Sequence, residues 1–217
     1  MRVDNFISKP EPKSIEKKTI HIVHILDSSG SMNDGQFSGQ SKWQAAVLGV
    51  QSEITELKLD DTVNYLFSLV VFGTTSNKII WQQPISKVNY TSEWRSQGST
   101  ALYDTIKETL SNYPQGQPVL VKILTDGQSN SDRTSPSEIK ELVNTLEKKD
   151  FTITFVGTAS DVDYINKNLG IAKGNMLVHD NTAESVTRSF KKSMDATVSY
   201  STNVAEGKFT KTLNFYQ

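Results

Sequence analysis

The stretch TIHIVHILDSSGSM, residues 19–32, joins an apolar run to an aspartate that is followed by serines and a glycine. The apolar part is rich in β-branched residues, which is typical of a strand covered on both faces of a sheet. Residues 41–57, SKWQAAVLGVQSEITEL, then place apolar side chains at the spacing of one helix face. The stretch therefore predicts the first strand and helix of an α/β fold, with polar side chains where the strand ends.

The rest of the chain continues this alternation. Further strands are predicted over residues 62–73, 77–83, 118–126, 151–157 and 175–178, and further helices over residues 101–113, 135–149, 160–170 and 182–194. Only three residues separate the second strand from the third, which is too short for a parallel crossover, so these two form an antiparallel hairpin. We predict a doubly wound α/β fold whose sheet is mostly parallel, with one antiparallel edge strand and helices on both faces.

The alternating pattern predicts one domain over residues 19–195, between a polar N-terminal arm (residues 1–18) and a polar C-terminal tail (residues 196–217). The tail is rich in Thr, Ser and Asn and lacks helical periodicity. We expect it to be loose when the domain is alone, because terminal segments fray unless they are docked. The alternative is that the tail forms strands against a partner.

Composition excludes several classes of function. The chain has 217 residues, and its 23 Lys and Arg nearly balance its 24 Asp and Glu, so no net field would attract nucleic acid or an acidic membrane. The absence of cysteine excludes disulfides, thiolate metal sites and a cysteine nucleophile. Neither a signal-peptide core nor an apolar run of ~18 residues is visible, so we expect a cytoplasmic protein that does not span a membrane.

Chemistry-bearing side chains are concentrated in three separate loops. Asp27, Ser29 and Ser31 follow the first strand, Thr100 precedes a helix, and Asp126 ends a later strand. Because the carboxyl ends of parallel strands meet at one sheet edge, these loops are expected to converge there. Two carboxylates and three hydroxyls form an all-oxygen set that suits a hard divalent cation. We therefore predict a Mg²⁺ site, with Mn²⁺ or Ca²⁺ as substitutes.

Each of these residues also has a simpler structural explanation. The serine-rich segment could be a turn, Thr100 a helix N-cap, and Asp126 part of a strand-end turn. His21 and His24 lie three residues apart on a strand, so they face opposite sides and cannot bind one metal together. Trp94 and Arg95 could belong to a binding rim or cover the core.

The five positions together resemble the metal-ion-dependent adhesion site of von Willebrand factor A domains. The match consists of the D-x-S-x-S motif formed by Asp27, Ser29 and Ser31, together with Thr100 and Asp126, and the similarity covers about residues 19–195. It is greatest to small single-domain members from bacteria and phages. The resemblance implies a Rossmann-like, six-stranded sheet.

The resemblance also implies a role for each site residue. Ser29 and Ser31 would bind the metal directly, Thr100 directly or through water, and Asp27 and Asp126 largely through water. An open coordination position would then accept a Glu or Asp carboxylate of a partner protein.

The favoured hypothesis is a non-enzymatic adaptor or assembly domain that binds a partner protein through the metal. One alternative is a metal-assisted phosphoryl hydrolase, and another is a structural subunit of a larger phage or bacterial assembly. The chain carries no GxxxxGK[ST] phosphate loop and no G-x-S-x-G elbow. A haloacid-dehalogenase-type nucleophile at Asp27 would require an acid two positions later, where this chain has Ser29.

Overall fold

A single mixed sheet organises the part of the chain that the structure, a computed structural model, describes: residues 17–91, 97–208 and 212–216. The strands are β1 (Thr19–Asp27), β2 (Asn64–Phe72), β3 (Ser76–Pro84), β4 (Val119–Leu124), β5 (Phe151–Gly157) and β6 (Met176–Val178). Their order across the sheet is β3-β2-β1-β4-β5-β6. The β2–β3 hairpin is antiparallel and every other pairing is parallel, which confirms the predicted sheet.

Helices cover both faces of this sheet. They are α1 (Lys42–Leu59), α2 (Leu102–Leu110), α3 (Pro136–Leu146), α4 (Ala159–Leu169) and α5 (Ala183–Ala205). Alternate residues of β1 face opposite layers: Ile20 and Ile22 pack with α1 and α5, whereas Val23 and Ile25 pack with α2, α3 and α4. Burial on both faces explains why β1 has no polar face in its sequence.

The strand order places a crevice beside the end of β1. From β1 the chain runs outward to β2 and β3, then returns to the other side of β1 as β4. Asp27 is paired with Phe72 of β2, and Leu26 is paired with Leu124 of β4, so three strand ends meet at one edge. Ligand sites of doubly wound sheets form at such a reversal of strand order.

The predicted end of the last helix is wrong. Helix α5 does not stop near residue 195 but continues to Ala205, and Tyr200 and Val204 are buried in its extension. Small hydroxyl residues recur every four positions on its buried face: Ser185, Ser189, Ser193, Thr197 and Ser201. The hydroxyls of Ser189, Thr197 and Ser201 each donate to the backbone carbonyl four residues earlier, which satisfies them without water. Residues 196–205 therefore do have helical periodicity, but the residues that repeat on the buried face are small and polar.

The final described segment, residues 212–216, packs on the domain as well. Asn175 holds it from two sides: Nδ2 donates to the Thr212 carbonyl at 2.8 Å, and Oδ1 accepts from the Phe215 N–H at 2.9 Å. The side chains of Phe215 and Tyr216 are buried. The prediction of a loose tail is therefore wrong for the described part of residues 196–217, while most of the predicted N-terminal arm, residues 1–16, lies outside the described residues.

A helix that spans a bilayer needs about 20 predominantly apolar residues, which the described helices do not provide.

Candidate metal site

Asp27 is fixed between two strand-end loops. It is the last residue of β1 and is fully buried. Its Oδ1 accepts the Ser29 N–H at 2.6 Å, and its Oδ2 accepts the Thr125 hydroxyl at 2.5 Å. Both carboxylate oxygens therefore have protein donors, and the side chain has a single defined position at the sheet edge.

The surroundings of Asp27 disfavour its negative charge. Burial raises the pKa of Asp27 to about 6, against the opposing effect of hydrogen bonds from Thr125 and Ser29, and the nearby Asp126 carboxylate adds to the rise. A cation bound beside this carboxylate would reverse that effect, because it stabilises the ionised form. The site thus gains electrostatically from positive charge.

The two serines connect Asp27 to Asp126. Ser31 lies in a 3₁₀ turn, Gly30–Asn33, where its Oγ is 3.1 Å from the Ser29 Oγ. The Ser31 hydroxyl donates to Asp126 Oδ1 at 2.7 Å across the gap between the loops after β1 and β4. The predicted convergence is therefore seen for Asp27, Ser29, Ser31 and Asp126, which form one hydrogen-bonded chain.

Backbone hydrogen bonds hold the loop that contains Thr100 at the same edge of the sheet. Gly30 N–H donates to the Gly98 carbonyl at 3.0 Å, which ties the loop before α2 to the serine loop. The Thr100 N–H donates to Asn130 Oδ1 at 2.9 Å, and the Thr100 side chain is buried. The N-cap of α2 is Ala101, so the alternative interpretation of Thr100 as a helix N-cap is wrong.

Two glycines allow the Thr100 loop to lie this close. Gly98 has a φ of 83°, in the left-handed region that favours glycine. A Cβ on Gly73, just after β2, would lie 2.6 Å from the Gln97 carbonyl oxygen. Any larger residue at position 73 would push the loop away from the sheet edge.

The sequence interpretation missed a buried cation beside the site. Lys42, the first residue of α1, is 1% exposed, forms an ion pair with Asp126 Oδ2, and donates to Asn181 Oδ1 at 2.5 Å. A signal existed: Lys42 lies four residues before Ala46, in phase with the buried stripe of α1. Thr125, whose hydroxyl donates to Asp27, was also missed. It directly precedes Asp126, and threonine is common in β-strands, so nothing marked it as a site residue.

The two histidines considered as candidates stay outside the cluster. His21 and His24 do face opposite sides of β1: His21 lies against Tyr113, and His24 contacts Glu53 at 2.9 Å. Trp94 and Arg95, predicted as rim or core, lie outside the described residues. No group of three or more His, Cys, Asp or Glu side chains that could hold a metal occurs within residues 17–91, 97–208 and 212–216. A metal site in these ranges would therefore need ligands besides carboxylates and imidazoles, and the hydroxyls of the cluster can supply them.

The converging residues fit a hard dication. They supply carboxylate and hydroxyl oxygens only, which is the donor set that Mg²⁺, Mn²⁺ and Ca²⁺ prefer. One edge of the cluster already contacts a cation, because the ammonium of Lys42 lies on Asp126. The two carboxylates therefore attract positive charge at this position, and the ammonium of Lys42 already meets part of that attraction at Asp126.

Sequence comparison gives matches over most of the domain. A family model described as von Willebrand factor type A domain matches residues 21–192. Cuticlin-6 from Caenorhabditis elegans is 28% identical over 131 residues, which cover 58% of this chain and 22% of that protein. The chain thus spans about a fifth of the length of this curated relative.

Structure comparison gives matches to the same architecture. Proximal thread matrix protein 1 from the mussel byssus, in a structure described as having a zinc-occupied MIDAS motif, aligns with a TM-score of 0.61 and 17% identity over 83% of this chain and 46% of that one. A D319A mutant of the PilB minor pilin from Streptococcus sanguinis aligns with a TM-score of 0.62 and 15% identity over 91% of this chain and 65% of that one.

A third structure, the ArnB paralog VWA2 from Sulfolobus acidocaldarius, aligns with a TM-score of 0.58 and 18% identity over 82% of this chain and 46% of that one. At these identities the structural matches establish the fold alone. The family model covers well over half of the sequence, and its limits run from within β1 to within α5. The chain belongs to the von Willebrand factor type A domain family.

Proposed function

We propose that this domain binds a divalent metal ion through Asp27, Ser29, Ser31, Thr100 and Asp126, and that the metal captures a carboxylate of a partner protein. The observation that carries the proposal is the hydrogen-bonded chain from Asp27 through the two serines to Asp126 at the sheet edge. This chain places neutral hydroxyl oxygens between two buried carboxylates. The zinc-occupied motif of the byssal thread relative supports a metal at the equivalent place.

The expected affinity for a carboxylate follows from the donor types. Neutral hydroxyl ligands donate electron pairs without cancelling the charge of the cation, so the metal can still attract an anionic ligand. A Glu or Asp side chain of a partner protein would supply that ligand, and exclusion of water by the docked partner would strengthen the contact. We propose Mg²⁺ as the resident ion, with Mn²⁺ or Ca²⁺ as substitutes.

The proposed role is that of an adaptor or assembly domain, and no catalytic step is assigned to it. A structural role in a larger assembly, which we propose to be bacterial or from a phage, is the second candidate. The names of the similar pilin, cuticlin and thread matrix proteins support a structural role without supporting a bacterial or phage source. We propose a cytoplasmic location, with which the absence of cysteine is consistent. The byssal relative favours the alternative, a location outside the cell.

The Ser29→Ala variant is expected to bind Mg²⁺ and Mn²⁺ at least about tenfold more weakly than the wild type, because it loses one metal ligand. Isothermal titration calorimetry of metal into the metal-free protein measures this. Ser99→Ala is the matched control, because Ser99 is exposed in the neighbouring loop and its backbone N–H makes the hydrogen bond to Thr74. Equal affinities for the three proteins, or no binding by the wild type, would contradict the metal site.

The partner-binding half of the proposal needs a separate experiment. The immobilised domain is incubated with extract of its own cells in Mg²⁺, and bound proteins are eluted with EDTA. We expect a protein that is retained by the wild type and by Ser99→Ala but not by Ser29→Ala. A partner retained equally in EDTA would show that binding does not pass through the metal.

A further inference from the structure

Lys42 is held in a pocket built for it beside the candidate metal site. Its ammonium lies between Asp126 Oδ2 and Asn181 Oδ1, and the whole residue is 1% exposed. Gly35, with a φ of 66°, makes room for its stem: a Cβ there would lie 3.2 Å from Lys42 Cδ and 2.5 Å from the Asn181 carbonyl oxygen. The glycine is therefore required for the lysine to reach the site.

Asn181 is fixed as firmly as Lys42. It lies in the turn before α5, has a φ of 56°, and its N–H donates to Nδ1 of the buried His179 at 3.0 Å. The Ala183 N–H, at the start of α5, donates to the Gly35 carbonyl at 2.9 Å, which ties this turn to the loop that leads into α1. The ammonium of Lys42 therefore has a fixed position relative to Asp126.

A fixed ammonium changes the charge of the metal site. The carboxylates of Asp27 and Asp126 would balance a dication, so a loaded site of these residues alone would be neutral. Lys42 adds one positive charge in contact with Asp126, where the surroundings are buried and screening is weak. With Lys42 the loaded site carries a net charge of one positive unit.

We propose that Lys42 is a built-in counter-cation that keeps the metal-free site assembled, weakens metal binding, and leaves the loaded site positive toward an anionic ligand. The proposal rests on the metal site proposed above and adds a residue outside its donor set. A metal ion must share Asp126 with the ammonium, and the two cations repel each other across this carboxylate. Lys42 is thus a positioning residue that acts through Asp126.

A purely structural role for Lys42 makes a different prediction, and the chain offers a matched control. Lys122 on β4 is also buried, 4% exposed, and is paired with a buried carboxylate, Glu53 Oε1, at 2.5 Å. That pair lies between the sheet and α1, away from Asp126. Loss of either lysine removes a buried ion pair, but only loss of Lys42 changes the charge at the metal site.

The test compares the wild type, Lys42→Met and Lys122→Met at one fixed neutral pH. Calorimetry measures the Mg²⁺ and Mn²⁺ affinities, and thermal unfolding is followed in EDTA and in saturating metal. Lys42→Met is expected to bind metal at least about tenfold more tightly than the wild type. Both variants should unfold at lower temperature in EDTA, but metal should raise the midpoint most in Lys42→Met.

Lys42→Gln provides the same measurement if Lys42→Met folds only with metal, a result that would itself support the proposal. Metal affinities equal within about twofold in the wild type and both Lys42 variants, or weaker in the variants, would overturn the role of Lys42 and leave the metal site intact. If neither the wild type nor any variant binds metal, the metal site and the proposal for Lys42 both fail. Tighter metal binding by Lys122→Met would also overturn the role of Lys42, because the effect would then not come from charge at the metal site.

Discussion

A chain that ends after residue 195 is expected not to fold, because the segment it lacks completes the core. Tyr200, Val204, Phe215 and Tyr216 are all buried against the layer formed by α1, α5 and the sheet. Burial of a large apolar side chain contributes about 1.5–3 kcal/mol. Four such residues contribute an amount comparable to the whole stability of a typical domain, about 5–15 kcal/mol. Circular dichroism and thermal unfolding of the shortened and full chains measure the difference.

Two valines of the same helix test this conclusion without shortening the chain. Val204 is fully buried and Val198 is 48% exposed, and both lie beyond the end predicted for α5. Val204→Ala is expected to lower the free energy of unfolding by about 1–3 kcal/mol, whereas Val198→Ala should change it by less than about 0.5 kcal/mol. Equal effects of the two substitutions, or a shortened chain as stable as the full one, would show that this segment is not part of the fold.

The alternation of strands and helices could be predicted because each element carries its own local signal. The β-branched run of β1 requires burial on both faces. The capping box of Ser135 and Glu138 marks the start of α3, and the structure confirms it, with the Glu138 N–H donating to Ser135 Oγ and the Ser135 N–H donating to Glu138 Oε2. Such patterns depend on near neighbours in the sequence, so no knowledge of the tertiary fold is needed.

The second half of α5 could not be predicted in the same way, because its signal is not hydrophobic. Thr197 and Ser201 occupy buried positions that apolar residues fill in most amphipathic helices. Their hydroxyls bond to the backbone of their own helix, so burial leaves no donor unsatisfied. Small side chains let α5 pack closely, and this benefit depends on the surface opposite the helix, which the sequence of α5 does not contain.

The candidate metal site was predicted as a set of residue types, and its geometry required the fold. Ser31 and Asp126 are 95 positions apart in the chain and 2.7 Å apart at their side-chain oxygens. Parallel strand ends explain this convergence, so topology made it predictable. Lys42 was not predictable in the same way, because its burial depends on a partner that is distant in the sequence. The ammonium lies inside the domain where Asn181, from the turn before α5, accepts a hydrogen bond from it.

A second buried ion cluster predicts that single substitutions lower the stability of the fold strongly, whereas a double substitution lowers it little. Lys122 Nζ lies 2.5 Å from Glu53 Oε1 and 2.5 Å from Thr197 Oγ1, and His24 Nε2 lies 2.9 Å from Glu53 Oε2. All four residues are buried between the sheet, α1 and α5. Removal of Lys122 or Glu53 leaves the other charge buried without its main partner, which costs more than the pair itself contributes.

Lys122→Met is therefore expected to lower the free energy of unfolding by about 3–5 kcal/mol, and Glu53→Leu by a similar amount. The double variant Glu53→Leu/Lys122→Met should recover most of this loss, because apolar side chains of similar volume carry no charge to desolvate. Urea denaturation of the wild type, both single variants and the double variant at neutral pH measures the coupling. Additive losses in the double variant would show that Glu53 and Lys122 do not act as a pair.

The same cluster contributes to the response of the domain to acid. Burial alone would raise the pKa of Glu53, but the opposing charges of Lys122 and His24 outweigh it and lower the pKa to about 2. Ionised Glu53 therefore stabilises the fold above the ordinary glutamate pKa near 4.5, and this contribution is lost as the pH falls from there toward 2. The loss would amount to about 3 kcal/mol for the wild type. The double variant lacks both Glu53 and Lys122, so its urea midpoint should fall less than that of the wild type between pH 5 and pH 3. An equal fall in both proteins would show that acid acts on other carboxylates.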